Sequence, residues 1–372
     1  MNTDHIAVPV RNNPIVERFV TLQGQINGAG LLARHRGFYV TLFSLLLLAY
    51  GAAWAGFGLI GNSGFQVLIA VALGVLMTQF AFLAHEAAHR QIFTTWKAND
   101  WFARLVAICL AGISYAMWQQ KHTRHHSNPN VIGKDPDIRP GFVVFYDEAA
   151  AARPRVLHFI AKRQGYVLFL LLPFLGISLQ VDSYRHLLGK GRVDHRALEL
   201  AILTVRICAV PALAFVFLPA PLAIAFTLIQ QGVFGFYMGA TFAPNHKGMK
   251  VFAAGDRVDF LTRQVRSSRN ITGNWAMDFL MGGLNHQIEH HLFPTMPRPA
   301  LRQAAAIVQR TCAEEDIPYT STTLRASYRI VIKYLNAVGH GRGSVFDCPL
   351  ANNLRQPQDP GRLTSSGKPR SP

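Results

Sequence analysis

Cysteine and acidic side chains are what this chain lacks. Its four cysteines, Cys109, Cys208, Cys312 and Cys348, are scattered with no C-x-x-C. That argues against a disulfide framework and a zinc ribbon. Aspartate and glutamate number 20 against 37 lysines and arginines, and only 15% of residues are charged. With 50% of the chain hydrophobic, so little charge points away from a soluble domain and toward a membrane protein. The formal charge of +17 then fits basic cytoplasmic loops and their attraction to anionic lipid better than it fits nucleic acid, which we do not expect as a partner. No cleavable signal is visible. Residues 1–38 are polar and carry Arg11, Arg18, Arg34 and Arg36, so the first apolar run reads as a signal anchor.

Long apolar runs are plentiful. Residues 39–62 and 65–84 are each long enough to span a bilayer at about 1.5 Å per residue and are joined by an uncharged turn. A second pair, roughly 199–219 and 221–243, follows the same plan around "LPAPL". Two shorter runs, 101–117 with Arg104 and 166–182 with Pro173, are read as lying at the interface or dipping in without crossing. Basic residues on both sides of 166–182 keep its ends on one side of the membrane. Arg206, inside the third span, is expected to snorkel or to pair with Glu199. The fold class is therefore all-α: an integral membrane protein with four transmembrane helices in two hairpins, under a cytoplasmic, histidine-rich di-metal cap. The divisions are a cytoplasmic segment 1–38, a membrane domain 39–296, a helical cap 297–350 and a disordered tail 351–372.

Nine of the 15 histidines fall in four short places. "LAHEAAHRQI" holds His85 and His89, "KHTRHHSN" holds His122, His125 and His126, "APNHKG" holds His246, and "LNHQIEHHLFP" holds His286, His290 and His291. Residues at i, i+3 and i+4 share one helix face, so each cluster presents its imidazoles together. The four-span topology, drawn without using the histidines, places every cluster on the cytoplasmic side.

The first cluster also spells H-E-x-x-H, the pattern of a zinc protease with Glu86 as general base. A protease site needs only three ligands, which leaves the other clusters unexplained. Eight or nine ligands suggest two metal ions. Nitrogen-rich ligation suits iron, copper, nickel or zinc and does not choose among them. A ferritin-like carboxylate site would need a second E-x-x-H, and none is present.

H-x-x-x-H, H-x-x-H-H and Q-x-x-H-H ending in "HHLFP", in that order on a four-span chain, resemble the membrane-bound fatty acid desaturase family over residues 39–296. The glutamine at the start of the third box resembles its front-end members. The resemblance implies a histidine-held centre of two non-haem irons that activates O2 and introduces a double bond into a fatty acyl chain carried by CoA or lipid. It implies His85, His89, His122, His125, His126, His246, His290 and His291 as ligands, completed by Gln287. Glu86, Asn245, His286 and Asp137 are candidates for a supporting role around the ligands, with Asp135 beside Asp137 in a turn. The alternatives are a membrane di-iron hydroxylase and, behind it, the H-E-x-x-H protease. No haem-binding His-Pro-Gly-Gly occurs, so the expected electron source is a separate carrier of the ferredoxin or cytochrome b5 type, drawn to the basic face. A multi-pass location in a bacterial plasma membrane, with both termini and the site cytoplasmic, completes the reading.

Overall fold

A computed structural model of the protein describes residues 14–153 and 159–341. The tail expected over 351–372 lies outside the described residues. Helix α1 (Pro14–Gly28) is followed by the long pair α2 (Arg36–Ile60) and α3 (Gln66–Ala88). Next come α4 (Trp96–Leu105), a π-helical segment (Val106–Ala111) and α5 (Tyr115–Ser127). Helix α6 (Gln164–Leu188) precedes a second long pair, α7 (Arg196–Phe217) and α8 (Ala220–His246). The remainder is α9 (Phe260–Ser267), α10 (Trp275–Leu280), α11 (Gln287–Leu292), α12 (Arg298–Glu314) and α13 (Leu324–Gly339). The strands are two residues each, a parallel pair that sets Asn270 beside Ser321 and Ile271 beside Thr322.

Both expected hairpins are present as α2–α3 and α7–α8. The bundle between them closes on apolar side chains, among them Phe57, Phe80 and Phe226. Leu48, Leu59, Val205 and Val216 stand exposed on outer faces, a surface suited to lipid rather than water. Small residues let the helices approach closely. A Cβ on Gly74 would lie 2.7 Å from the Gln230 carbonyl, and one on Gly235 would lie 2.5 Å from that of Pro173.

The two doubtful runs behave differently from each other. Helix α6 is 25 residues long and apolar enough to cross, which brings the helices of spanning length among the described residues to five; a count of four is not confirmed. The run 101–117 is a bent pair: α4 with its π-helical extension meets α5 at 112°. Gly112, at φ +73°, makes the turn, a conformation glycine adopts without a Cβ penalty. Buried backbone at such a break needs partners, and α7 supplies them. Glu199 accepts from Ser114 Oγ at 2.5 Å and from the Ala116 N–H at 3.3 Å, so it caps the start of α5. Arg206 Nε donates to the Cys109 carbonyl at 2.9 Å, in the last turn of the π segment. The expected Arg206–Glu199 pair is therefore replaced: Glu199 is taken by Arg104 Nε at 3.0 Å.

Helices α1, α11 and α12 share a second core that includes Leu22, Ile26, Ile288, Leu292, Leu301 and Val308. This cap packs directly on the helix that carries the third histidine cluster.

Candidate metal centre

Four helix ends deliver the histidines. His85 lies in the last turn of α3 and His89 is its C-cap. His122, His125 and His126 line the last turns of α5, His246 is the final residue of α8, and His290 and His291 sit on α11. The structure brings them together in two sets. His85, His89, His122, His126 and His290 place ligand nitrogens within 4.8 Å of one another, and so do His125, His246 and His291.

The second set shows which nitrogens face inward. His125 Nδ1 lies 3.1 Å from both oxygens of Asp135. His246 Nδ1 lies 2.9 Å from the Ser267 carbonyl. His291 Nδ1 lies 2.9 Å from Gln264 Oε1, whose amide is oriented by donation from Nε2 to the His126 carbonyl. Carboxylate and carbonyl oxygens only accept, so each Nδ1 carries the proton and each Nε2 is a bare lone pair. Those lone pairs converge, with His125 and His246 only 3.3 Å apart through Nε2. His291 Nε2 is buried without a hydrogen-bond partner. Lone pairs pressed together away from water repel; a cation among them removes the conflict. The donor set therefore fits a metal ion, and outward Nδ1–H donation is how metal-binding histidines are usually oriented.

The first set is as crowded. His122 Nε2 lies 3.1 Å from His85 Nε2 and 2.8 Å from His89 Nε2, while His290 and His126 meet at 3.1 Å. His85 Nδ1 and His126 Nδ1 are buried without partners. Burial pulls the His89 imidazole down to about 3. Burial, reinforced by neighbouring imidazoles, holds His290 and His291 well below the usual range. These rings are neutral at physiological pH, the form that binds metal.

The other predicted residues separate into different environments. Gln287 reaches the second set, with Nε2 3.0 Å from His246 Nε2. Its carbonyl is turned away, accepting from Asn245 Nδ2 at 3.1 Å. Asn245 is itself fixed by donation to the Thr241 and Leu284 carbonyls. To ligate through oxygen, Gln287 would have to turn over and give up the Asn245 bond. His286 faces outside both sets, 3.2 Å from Asp278. Asp137 stands 3.5 Å from His125 Nδ1 and 3.0 Å from Lys121, so Asp135 is the closer partner of that ring. Asp135 also accepts from the Asn130 and Asp137 N–H groups at 2.8 Å. It is therefore both a turn cap and a histidine partner. Glu86 binds Arg298 through both oxygens, at 2.6 and 2.7 Å, and points at neither metal set.

Several supporting residues escaped the sequence reading. Gln264 and Ser267 lie on α9 with no motif to mark them. Glu289, between Gln287 and His290, accepts from Asn270 at 2.7 Å and Tyr319 at 2.8 Å. Burial lifts its carboxyl to about 7 against the pull of those two hydrogen bonds. The signal available was the odd placement of an acid inside an otherwise apolar and histidine-rich segment.

The sequence matches the fatty acid desaturase family over residues 62–323. It is similar to the Delta(6)-fatty-acid desaturase fat-3 of Caenorhabditis elegans, 28% identical over 325 residues, covering 82% of this chain and 71% of that protein. It is similar to Delta(8)-fatty-acid desaturase 1 of Arabidopsis thaliana, 29% identical over 332 residues, covering 85% and 73%. The Delta(5) fatty acid desaturase fat-4 of C. elegans is 28% identical over 339 residues, covering 83% and 71%.

Proposed function

This chain belongs to the fatty acid desaturase family, and we propose that it introduces a double bond near the carboxyl end of a fatty acyl chain, using two irons held by its two histidine sets. The observation that carries the proposal is the inward convergence of histidine lone pairs at one end of an apolar helical bundle. The first ion would be held by His85, His89, His122, His126 and His290, and the second by His125, His246 and His291, with Gln287 beside it. Bound iron would supply the O2-derived oxidant that an unactivated C–H bond requires. The chain's own residues do the rest. Asp135, Ser267 and Gln264 hold three imidazoles in the ligating tautomer. The apolar bundle keeps water from the reacting carbon and accommodates a chain that is itself apolar. The names of the relatives, Delta(5), Delta(6) and Delta(8), support a bond position counted from the carboxyl end.

The site's sidedness is compatible with four crossings. Helices α3, α5 and α8 all end at the histidines, so these ends share one side of the membrane. An odd number of crossings must then separate the end of α3 from the start of α8. Since α5 returns to the same side, the α4–α5 pair is re-entrant and one of α6 and α7 crosses; the basic residues on both flanks of α6 favour α7. The basic residues flanking α6 favour a cytoplasmic position for that side. A separate acidic electron carrier would meet the histidines there. The relatives described above are eukaryotic and lend no support to a bacterial source.

The test is product analysis. The chain is expressed in cells supplied with deuterium-labelled fatty acids, and labelled acyl chains are recovered. The expected product has lost a vicinal pair of hydrogens near the carboxyl end. An acyl chain that has gained one oxygen atom would assign hydroxylation instead.

A further inference from the structure

Gln287 ends at the second histidine set, with Nε2 3.0 Å from His246 Nε2. Which end of its amide faces inward decides what it can do there. The carbonyl oxygen can ligate a metal, whereas the NH2 group only donates, and the surrounding hydrogen bonds decide which end lies where. Here backbone atoms make the choice. Asn245 Nδ2 lies 3.1 Å from the Thr241 carbonyl and 3.0 Å from the Leu284 carbonyl. Turning Asn245 over would press its oxygen against two carbonyl oxygens, so its nitrogen stays in place. Gln287 meets that nitrogen at 3.1 Å through Oε1. Turned over, Gln287 would set donor against donor. Asn245 and Gln287 are 0% and 1% exposed, so bulk water does not replace the lost bond. The inward end of Gln287 is therefore a donor.

Without metal, that donor has an acceptor. His246 Nδ1 donates to the Ser267 carbonyl at 2.9 Å, which leaves on Nε2 the lone pair that the Gln287 N–H meets. A bound ion takes this lone pair together with those of His125 and His291. The buried Gln287 N–H then needs another acceptor. The two sets differ in what they can offer. Five imidazoles crowd the first and three form the second. Three protein ligands leave coordination positions open on an ion, and five come close to filling them. Resting on the two-metal reading above, we propose that Gln287 is a hydrogen-bond donor to a small molecule or anion bound at the open face of the second ion, and is not itself a ligand. The occupant must carry a spare lone pair, as water, hydroxide, azide and O2 do. The second set is then the open site and the first its closed companion.

The test loads the full chain in detergent with Co(II) and then titrates azide, both followed by visible absorption. The unaltered protein should take up about two Co(II) and then about one azide per chain. Gln287→Leu and the longer, more flexible Gln287→Met both remove the donor, and both leave Asn245 its two carbonyl acceptors. In each variant azide affinity should fall by about tenfold or more, while the second set binds Co(II) no less tightly than before. A merely structural role for Gln287 would not separate the two affinities. Weaker Co(II) binding at the second set in the variants would make Gln287 a ligand and overturn the proposal. Azide affinity within about twofold of the unaltered protein would overturn it too. So would two azides per chain, or none, in the unaltered protein, a result that needs no variant. Uptake of fewer than two Co(II) by the unaltered protein would remove the two-metal reading and this proposal with it, whereas the other failures leave that reading standing.

Discussion

Glu86 and Arg298, 212 positions apart, form a buried two-point ion pair at 2.6 and 2.7 Å. The pair ties the helix of the first histidine cluster to the start of α12, just beyond the third. Around it, Tyr39 accepts from the Arg298 N–H and donates to Gln91, and Gln91 reaches the Pro294 carbonyl. The acid of H-E-x-x-H is thus a strut between two ligand-bearing segments, with no geometry for a protease base.

Removing one partner of such a pair strands the other in a dry interior. Arg298→Ala should cost about 3–5 kcal/mol, seen as a large fall in the unfolding midpoint of the detergent-solubilised protein. Arg298→Ala combined with Glu86→Ala should be more stable than Arg298→Ala alone, because no unpaired carboxylate remains. Strictly additive losses would show that the two side chains act independently.

Asp135 fixes the tautomer of His125 through two contacts of 3.1 Å. Asp135→Asn should lower metal affinity at the second set by about 10–100-fold, with occupancy of the first set retained. Titration of the apoprotein with Co(II), followed by its visible bands, separates the two sites. Equal weakening at both would mean that Asp135 stabilises the loop rather than the ring.

A carrier drawn by charge predicts salt dependence. Arg90 and Arg124 are exposed immediately beside His89 and His125. Turnover with a reduced acidic carrier should fall several-fold as ionic strength rises from about 0.05 to 0.5 M, where screening shortens to a few ångströms. Turnover with a small uncharged reductant should stay level. Equal salt response with both reductants would remove the electrostatic docking.

The legible part of this protein is the part written in local spacing. Histidines at i, i+3 and i+4 declare a shared helix face. Long apolar runs declare the α2–α3 and α7–α8 hairpins. What escaped depends on partners far along the chain. Nothing near Glu86 announces Arg298, so its carboxylate reads as a histidine partner or a surface acid. Glu199 and Arg206 look like a pair because they sit on one helix; instead each serves one side of the break at Gly112, across 85–97 positions. Pro173 suggests a short interrupted run, yet α6 continues through it for 25 residues. Gln287 is legible as a member of the site by its register with His290, but the orientation of its amide is set by Asn245, 42 positions away.

The central claim is that two separate histidine sets hold two metal ions, and metal counting by mass spectrometry tests it most directly. The active purified protein should contain about two irons per chain. His291→Ala, which removes one of three ligands from the second set, should leave about one. A single zinc in active protein, or two irons undiminished by His291→Ala, would contradict the account.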